Sequence, residues 1–167
     1  MTYDDSEQER SSLPDDQEPR TALALVLMAE PDPQRRTLYT QVLQDAGYEV
    51  VSVRSAATML TEAAQLSPDL IIAQLSEPTV DGFALCRKLR AEADTRHTPV
   101  LVLTRFDDPY TREQIVRAGA TAILIEPMRR ALLVRQVRRL LARTRAHAPL
   151  TVGTSRETEV RPPVTGR

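Results

Sequence analysis

The sequence predicts an α/β fold in which a doubly wound, five-stranded parallel sheet carries helices on both faces. Two observations lead to this fold class. Short apolar runs alternate with longer stretches whose apolar residues recur every three or four positions, and the alternation repeats five times. The first of these runs has no polar interruption, which is typical of a strand that is buried on both faces of a parallel sheet.

Turn residues delimit the first two repeats. Residues 23–28 are the first predicted strand, and residues 33–46 are a helix that ends at Gly47, because glycine readily adopts the left-handed conformation found after helices. Residues 48–53 form the second predicted strand. Residues 56–66 form the second helix, with methionine, leucine and alanine side chains on its inward face.

The other three repeats follow the same pattern. A proline and an Asp-Gly pair mark the turn after the third strand, and a glycine ends the fourth helix. Leucine and valine recur at helical spacing in the last helix. The predicted elements are strand 70–73 and helix 83–91, strand 100–103 and helix 111–118, and strand 122–125 and helix 128–145.

Two segments outside these repeats differ in composition. Residues 1–20 contain seven acidic residues, two arginines and almost no large apolar side chain, so they cannot bury enough surface to fold. The end of the chain mixes proline, threonine, glycine and charged residues. We therefore predict a disordered acidic tail at residues 1–20, one folded domain at residues 21–145 and a second disordered tail at residues 146–167.

The global composition disfavours several classes of protein. A formal net charge of −1 selects neither nucleic acids nor membranes as partners. Cys86 is the only cysteine, which excludes an internal disulfide and a cysteine-based metal cluster and fits a reducing compartment. No apolar run approaches the ~18 residues of a membrane span, and the acidic start has the wrong charge for a signal peptide. The sequence therefore predicts a soluble, cytoplasmic protein.

Several polar residues stand where the predicted strands end. In a doubly wound parallel sheet, ligands bind beyond the carboxyl ends of the strands, so we expect these residues to face one pocket. They are Glu30, Pro31 and Asp32 after the first strand, Gln74 after the third, Thr104 and Arg105 after the fourth, and Glu126 after the fifth.

Five stretches of the chain resemble the receiver domains of two-component response regulators, the CheY-like family. They read EPDP, GYEVVSV, PDLIIAQLSEPTVDGFALCRKLR, TPVLVLTR and AGATAILIEP, and the likeness covers about residues 21–145. The resemblance implies a five-stranded (βα)5, flavodoxin-like fold with strand order 2-1-3-4-5. It also implies a function in phosphorelay signal transduction, with a histidine kinase or an output protein as partner.

The resemblance assigns a role to each position of the predicted pocket. In the family, an aspartate at the end of the third strand accepts a phosphoryl group, and a pair of acids after the first strand helps to hold Mg²⁺. A hydroxyl residue after the fourth strand and a lysine after the fifth contact the phosphoryl group. The corresponding residues here are Gln74 for the acceptor, Glu30 and Pro31 for the acidic pair, Thr104 for the hydroxyl residue, Glu126 for the lysine, and Ile123 for a switch position that is commonly aromatic.

Each departure from the family pattern has a physical consequence. The amide of Gln74 is neutral and a poor nucleophile, so it cannot form the acyl phosphate of an aspartate. Mg²⁺ prefers carboxylate oxygens, and Pro31 offers none. Glu126 places a negative charge where a positive one would stabilise the phosphoryl group. We therefore predict a degenerate, stand-alone pseudo-receiver that is not an enzyme, has a lost or weak Mg²⁺ site and no other cofactor, and acts by protein–protein contact.

Other interpretations stay open. The remodelled pocket would serve a ligand- or metal-sensing switch if Glu30, Asp32 and Glu126 bound a cation, although such acids usually pair with arginine or face water. For Gln74, the ordinary expectation is a hydrogen bond to Thr104 and to neighbouring backbone. Nucleic-acid binding through the last helix ranks last, because no DNA-binding unit is recognisable in the chain.

The carboxylates of the predicted pocket need a positively charged partner, because like charges so close together repel. Arg105, directly after Thr104, is the only base beside the predicted pocket, so we expect it to form an ion pair with Glu126 or with Glu30. By resemblance to the family, the peptide bond between Glu126 and Pro127 is expected to be cis.

The last helix supplies a predicted interaction face. Residues 127–147 contain seven arginines and no acid. A solvated surface is the ordinary interpretation; the alternative hypothesis is that residues 1–20 cover the face loosely until an acidic or apolar partner displaces them. The face comprises Arg129, Arg130, Leu132, Arg135, Arg138, Arg139 and Arg143.

Overall fold

The protein, seen here as a computed structural model, is described at residues 23–76 and 80–147. Strands and helices alternate five times in this part of the chain. The strands are β1 (Leu25–Ala29), β2 (Glu49–Val53), β3 (Leu70–Leu75), β4 (Val100–Thr104) and β5 (Ala122–Ile125). The helices are α1 (Pro33–Asp45), α2 (Ala56–Leu66), α3 (Val80–Ala91), α4 (Pro109–Arg117) and α5 (Arg130–His147).

The sheet is parallel throughout and has the order β2-β1-β3-β4-β5, which confirms the predicted fold class and strand order. The chain winds one way from β1 to β2 and the other way from β3 to β5. This reversal opens a crevice at the carboxyl ends of β1 and β3, where folds of this kind bind ligands. Glu30 follows β1 directly, and Gln74 lies near the end of β3, so both stand at the crevice.

Each face of the sheet carries its own apolar core. Val26 and Met28 of β1 pack with Leu133 on the face covered by α1 and α5. Leu27 of the same strand packs with Ile115 on the face covered by α2, α3 and α4. Successive side chains of a strand point to opposite faces, so a strand covered on both sides is apolar at every position.

Some element boundaries differ from the predicted ones at points that matter for the pocket. β3 continues to Leu75 and β4 to Thr104, so Gln74 and Thr104 lie inside strands rather than after them. Their backbones remain in the ladder, where Gln74 is paired with Leu103 and Leu75 with Thr104. Backbone pairing sets the end of a strand, and a polar side chain does not interrupt it.

The last helix also differs from its predicted limits. It begins at Arg130 rather than at residue 128 and continues to His147. Residues 1–20 and 148–167, which include most of the two predicted tails, lie outside the described residues. Within the two described ranges, no helix combines the length and apolarity that a membrane span requires.

Cys86 lies in α3 and packs into the core between that helix and the sheet. Only 4% of the residue is exposed. Burial raises the pKa of its thiol, so the reactive thiolate is scarce near neutral pH.

Candidate functional site

A buried ion pair closes the pocket at the end of β1. Glu30 is fully buried, and its Oε1 accepts hydrogen bonds from the Arg35 guanidinium at 3.1 Å and from the Asp32 backbone N–H at 2.8 Å. A carboxylate without such partners would be costly to bury. Burial lowers the pKa of Arg35, but the hydrogen bond and the charge of Glu30 outweigh it, so the pKa stands above its ordinary value.

The first turn of α1 places Arg35 over this carboxylate. Asp32 is the N-cap of α1, and its Oδ1 accepts a hydrogen bond from the Arg35 backbone N–H at 2.8 Å. That bond lowers the pKa of Asp32. Asp32 therefore serves as a helix cap, and its neighbour Pro33 begins the helix with a φ angle already suited to it.

A second buried carboxylate, Glu126, follows β5 and is 7% exposed. Its Oε1 accepts a hydrogen bond from the Tyr39 hydroxyl, and its Oε2 accepts one from the Gln74 amide Nε2 at 2.9 Å. Gln74 thereby joins β3 to the residue after β5, across the intervening strand β4. The predicted cis bond between Glu126 and Pro127 is confirmed.

Tyr39 is held in its neutral form by its surroundings. Burial raises the pKa of the phenol, and the hydrogen bond to the Glu126 carboxylate and the charge of that group raise it further. A phenol that is harder to ionise when folded stabilises the fold at low and neutral pH. This contribution is complete below the unfolded pKa of 10.0 and is lost as the pH rises beyond it.

We expect this shift to appear in a comparison of the wild-type chain with Tyr39→Phe. Above pH 10, the free energy of unfolding of the wild type should fall relative to that of the variant, because only the unfolded wild type releases the additional proton. Denaturant titrations between pH 8 and about pH 11 measure this difference. A difference that does not change with pH would show that the hydroxyl of Tyr39 ionises equally in both states.

Thr104 and Gln74 do not form the hydrogen bond that the sequence suggested. Thr104 is fully buried, but its Oγ1 accepts from the Phe106 backbone N–H at 3.2 Å. Gln74 lies one register position away from Thr104, beside Leu103, and its amide reaches Glu126 instead. The prediction for the partner of Gln74 was therefore wrong.

The predicted ion pair of Arg105 is also wrong. Arg105 is exposed and bonds to neither Glu126 nor Glu30, because those two carboxylates already have partners from α1 and β3. The side chain that compensates Glu30 is Arg35. Pro31 is exposed, and Ile123 is half-buried on β5 against the core cluster that α2, α3 and α4 cover.

Sequence inspection missed Arg35 and Tyr39 as residues of the pocket. The order of the elements could have indicated both residues. The helix that follows β1 begins at the edge where the strands end, so its first turn lies over the pocket. Residues four apart share a helix face, which puts Tyr39 beside Arg35.

Three buried polar atoms in this cluster have no hydrogen-bond partner among residues 23–76 and 80–147: Glu30 Oε2, Gln74 Oε1 and Arg35 Nε. In the same ranges, no group of three or more His, Cys, Asp or Glu side chains is arranged to hold a metal ion. Among the described residues, the buried part of the pocket thus contains the carboxylates of Glu30 and Glu126, both bound to internal donors, and the neutral amide of Gln74. Within the described part of β3 and its end, residues 70–76, no side chain carries a carboxylate that could act as a nucleophile at the position of Gln74.

The predicted interaction face lies at and before α5. Its arginines at positions 129, 130, 135, 138, 139 and 143 are exposed, and the first turn of α5 contains no acid. Leu132 departs from the prediction, because it is half-buried and packs against the core cluster under α1 and α5. We call the six arginines without Leu132 the arginine surface.

Comparisons with known proteins agree with this geometry. The response regulator receiver domain matches residues 26–138. The response regulator PleD of Caulobacter vibrioides is 38% identical over 93 residues, which are 56% of this chain and 20% of PleD. The polar-differentiation response regulator DivK of Brucella ovis is 28% identical over 103 residues, which are 62% of this chain and 84% of DivK.

A solved structure gives the same result. The chemotaxis protein CheY4 of Vibrio cholerae superposes with a TM-score of 0.67 at 29% identity, covering 71% of this chain and 99% of CheY4. The domain match extends from β1 into α5 and includes both buried carboxylates and Gln74. The chain therefore belongs to the response regulator receiver domain family.

Proposed function

We propose that this receiver domain is a pseudo-receiver, which takes part in two-component signalling through protein contacts and does not accept a phosphoryl group. The hydrogen bond between Gln74 and Glu126 carries the proposal. It joins the position of the family's acceptor to the position of the family's lysine, and neither residue has the chemistry of its counterpart. The amide is a poor nucleophile, and its donor group is occupied by the carboxylate.

Charge opposes phosphorylation at this site as well. A phosphoryl group adds a charge of about −1.5 to −2 near neutral pH. Beside Gln74 it would lie close to Glu126, whose nearest oxygen is 2.9 Å from the amide nitrogen. Two like charges so close in a partly desolvated site repel strongly.

The donor set also disfavours Mg²⁺, which usually binds through one or two carboxylates together with water and phosphate oxygens. Glu30 Oε1 is engaged by Arg35, so only Oε2 of this carboxylate is left for a cation. Pro31 provides no side-chain oxygen. A lost or weak Mg²⁺ site and the lack of an enzymatic activity are therefore parts of the same proposal.

The direct test is incubation of the full chain with a small phosphodonor and Mg²⁺, followed by intact mass measurement. We expect no added phosphate on the wild-type chain, and none on Gln74→Asp, which still lacks the metal ligand and the lysine. A receiver domain that has the aspartate serves as the positive control. A stable adduct located within the receiver domain would refute the proposal.

A ligand- or metal-sensing switch is the second candidate, and one observation favours it. Glu30 Oε2 and Gln74 Oε1 are buried acceptors without a partner among the described residues, which is a costly arrangement unless water or a cation binds there. Calorimetric titration with Mg²⁺ and Ca²⁺ distinguishes the candidates. Binding that Glu30→Gln abolishes would favour the switch, and no heat of binding would favour the pseudo-receiver.

Receiver domains typically interact with histidine kinases or output domains, and we propose such a protein as the partner here. The chain spans only a fifth of PleD but most of DivK, so its action as a stand-alone domain stays a prediction. The same holds for the cytoplasmic location. Pull-down from the native host, with Arg135→Gln/Arg138→Gln as the comparison, would identify a partner that uses the arginine surface.

A further inference from the structure

The arginine surface has few counter-ions in the folded domain. Arg130, Arg135, Arg138 and Arg139 form no ion pair with any residue that the structure describes, and α5 contains no acidic residue. The neighbouring helix α1 contacts α5 and has one acid, Asp45, whose carboxylate accepts a hydrogen bond from Gln41. The exposed arginines of α4 differ, because Arg112 and Arg117 pair with Asp107 and Glu113.

Repulsion within α5 adds to this imbalance. Arg135 lies three and four positions before Arg138 and Arg139, and residues with these spacings are neighbours on a helix surface. Like charges at such positions destabilise a helix. Arg130 stands at the helix N-terminus, where the helix dipole also disfavours a cation. An anion that covers this surface would relieve both effects.

The first described residues of the chain lie near this surface, and they follow a highly acidic segment in sequence. α5 follows β5 and runs back across the sheet, so its C-terminal half lies at the edge where the strands begin. β1 begins at the same edge, and Ala24, just before it, belongs to the same core cluster as Leu140 and Leu141. Residue 23 is 60% exposed and therefore lies at the surface of the same edge.

The lengths match as well. The acids Asp15, Asp16 and Glu18 stand five to eight residues before Leu23. An extended chain of five to eight residues is roughly 16–28 Å long. α5 has 18 residues, which corresponds to a length of about 27 Å. A segment on the same chain also binds at a high effective concentration, of the order of millimolar for a short flexible link.

We propose that residues 1–20 bind across the arginine surface, over Arg135, Arg138 and Arg139, and shield it from anionic macromolecules. The acidic segment is the occupant, because it has seven acids against two arginines and is connected through two residues to Leu23, which lies at the edge where α5 ends. Each ion pair is exposed and weak, so the contact opens readily and a stronger anionic partner displaces it. This inference is independent of whether Gln74 is phosphorylated.

A spin label in the acidic segment tests the contact on the full chain. Ser12→Cys provides a single labelling position, because Cys86 is buried. At about 0.01 M salt, where the screening length is ~30 Å, we expect the label to broaden the amide signals of α5 much more than those of α4. At about 1 M salt, where that length is ~3 Å, the difference should disappear.

Two matched variants separate the arginine surface from positive charge in general. Arg135→Gln/Arg138→Gln/Arg139→Gln should abolish the broadening of α5, whereas Arg112→Gln/Arg117→Gln on α4 should leave it unchanged. Equal broadening of α4 and α5 at low salt, or broadening that survives the α5 variant, would overturn the proposal. So would broadening of equal strength when the labelled and the isotope-enriched chains are separate molecules, because a second copy would then be the occupant.

Discussion

The variant Pro31→Asp/Gln74→Asp/Glu126→Lys is expected to accept a phosphoryl group from a small phosphodonor in the presence of Mg²⁺, whereas the wild-type chain is not. The three substitutions restore a metal ligand, a nucleophilic carboxylate and a cation that stabilises the phosphoryl group. They also remove the Glu126 carboxylate that now holds residue 74. Intact mass measurement should show one added phosphate, which is lost under conditions that hydrolyse acyl phosphates.

The partial variants are the controls for this reconstruction. Gln74→Asp alone puts a second carboxylate near Glu126 and removes the 2.9 Å hydrogen bond, so we expect it to be less stable than the wild type by about 1–3 kcal/mol. Adding Glu126→Lys should restore that stability without restoring phosphorylation. If the folded triple variant binds Mg²⁺ and still shows no adduct, the missing chemistry is not confined to these three positions.

Arg35→Ala is expected to cause the largest loss of stability among single charge substitutions in the pocket. Glu30 has 1% of its side chain exposed and would be left buried without its guanidinium partner. Removal of one member of a buried pair typically costs about 3–5 kcal/mol, and because 28% of the Arg35 side chain is exposed we expect about 2–4 kcal/mol here. Denaturant titration measures the change in the free energy of unfolding.

Arg112→Ala is the matched control for this loss. Arg112 pairs with Asp107, and their side chains are 50% and 58% exposed, so the substitution should cost less than about 1 kcal/mol. A second comparison removes both buried charges: Glu30→Leu/Arg35→Leu should recover most of the stability lost in Arg35→Ala. Equal losses for Arg35→Ala and Arg112→Ala would show that the buried pair contributes no more than a surface pair.

The sequence was sufficient for the fold and for the placement of Glu30, Gln74 and Glu126. The apolar runs and the helical spacings show which side chains are buried. Few folds other than a parallel sheet with helices on both faces bury side chains in this pattern. Positions at strand ends are fixed by that topology, which is why Glu30, Gln74 and Glu126 were correctly placed at one edge. The predicted ends of the strands were less accurate. Backbone pairing keeps Gln74 and Thr104 in the sheet, and the polarity of a side chain does not show whether its backbone is paired.

The partners within the pocket were not predictable in the same way. Arg105 is adjacent to Thr104 in sequence, but its side chain is exposed at the end of β4. Arg35 is distant from β4 and β5 in sequence, but the first turn of α1 directs it at Glu30. Which cation meets a buried carboxylate depends on the direction in which each side chain leaves its element, and that direction is a property of the three-dimensional arrangement.

Because Cys86 is the single cysteine and is buried, its reaction with a thiol reagent can measure how often the domain opens. The Cys86 thiol lies under α3 in the closed core, so an alkylating reagent reacts with it only in molecules that have opened there. When reclosing is faster than the reaction, the labelling rate is the product of the opening equilibrium constant and the rate for a free thiol. Labelling under native conditions therefore gives the equilibrium constant of the local or global opening that exposes the thiol, without any denaturant.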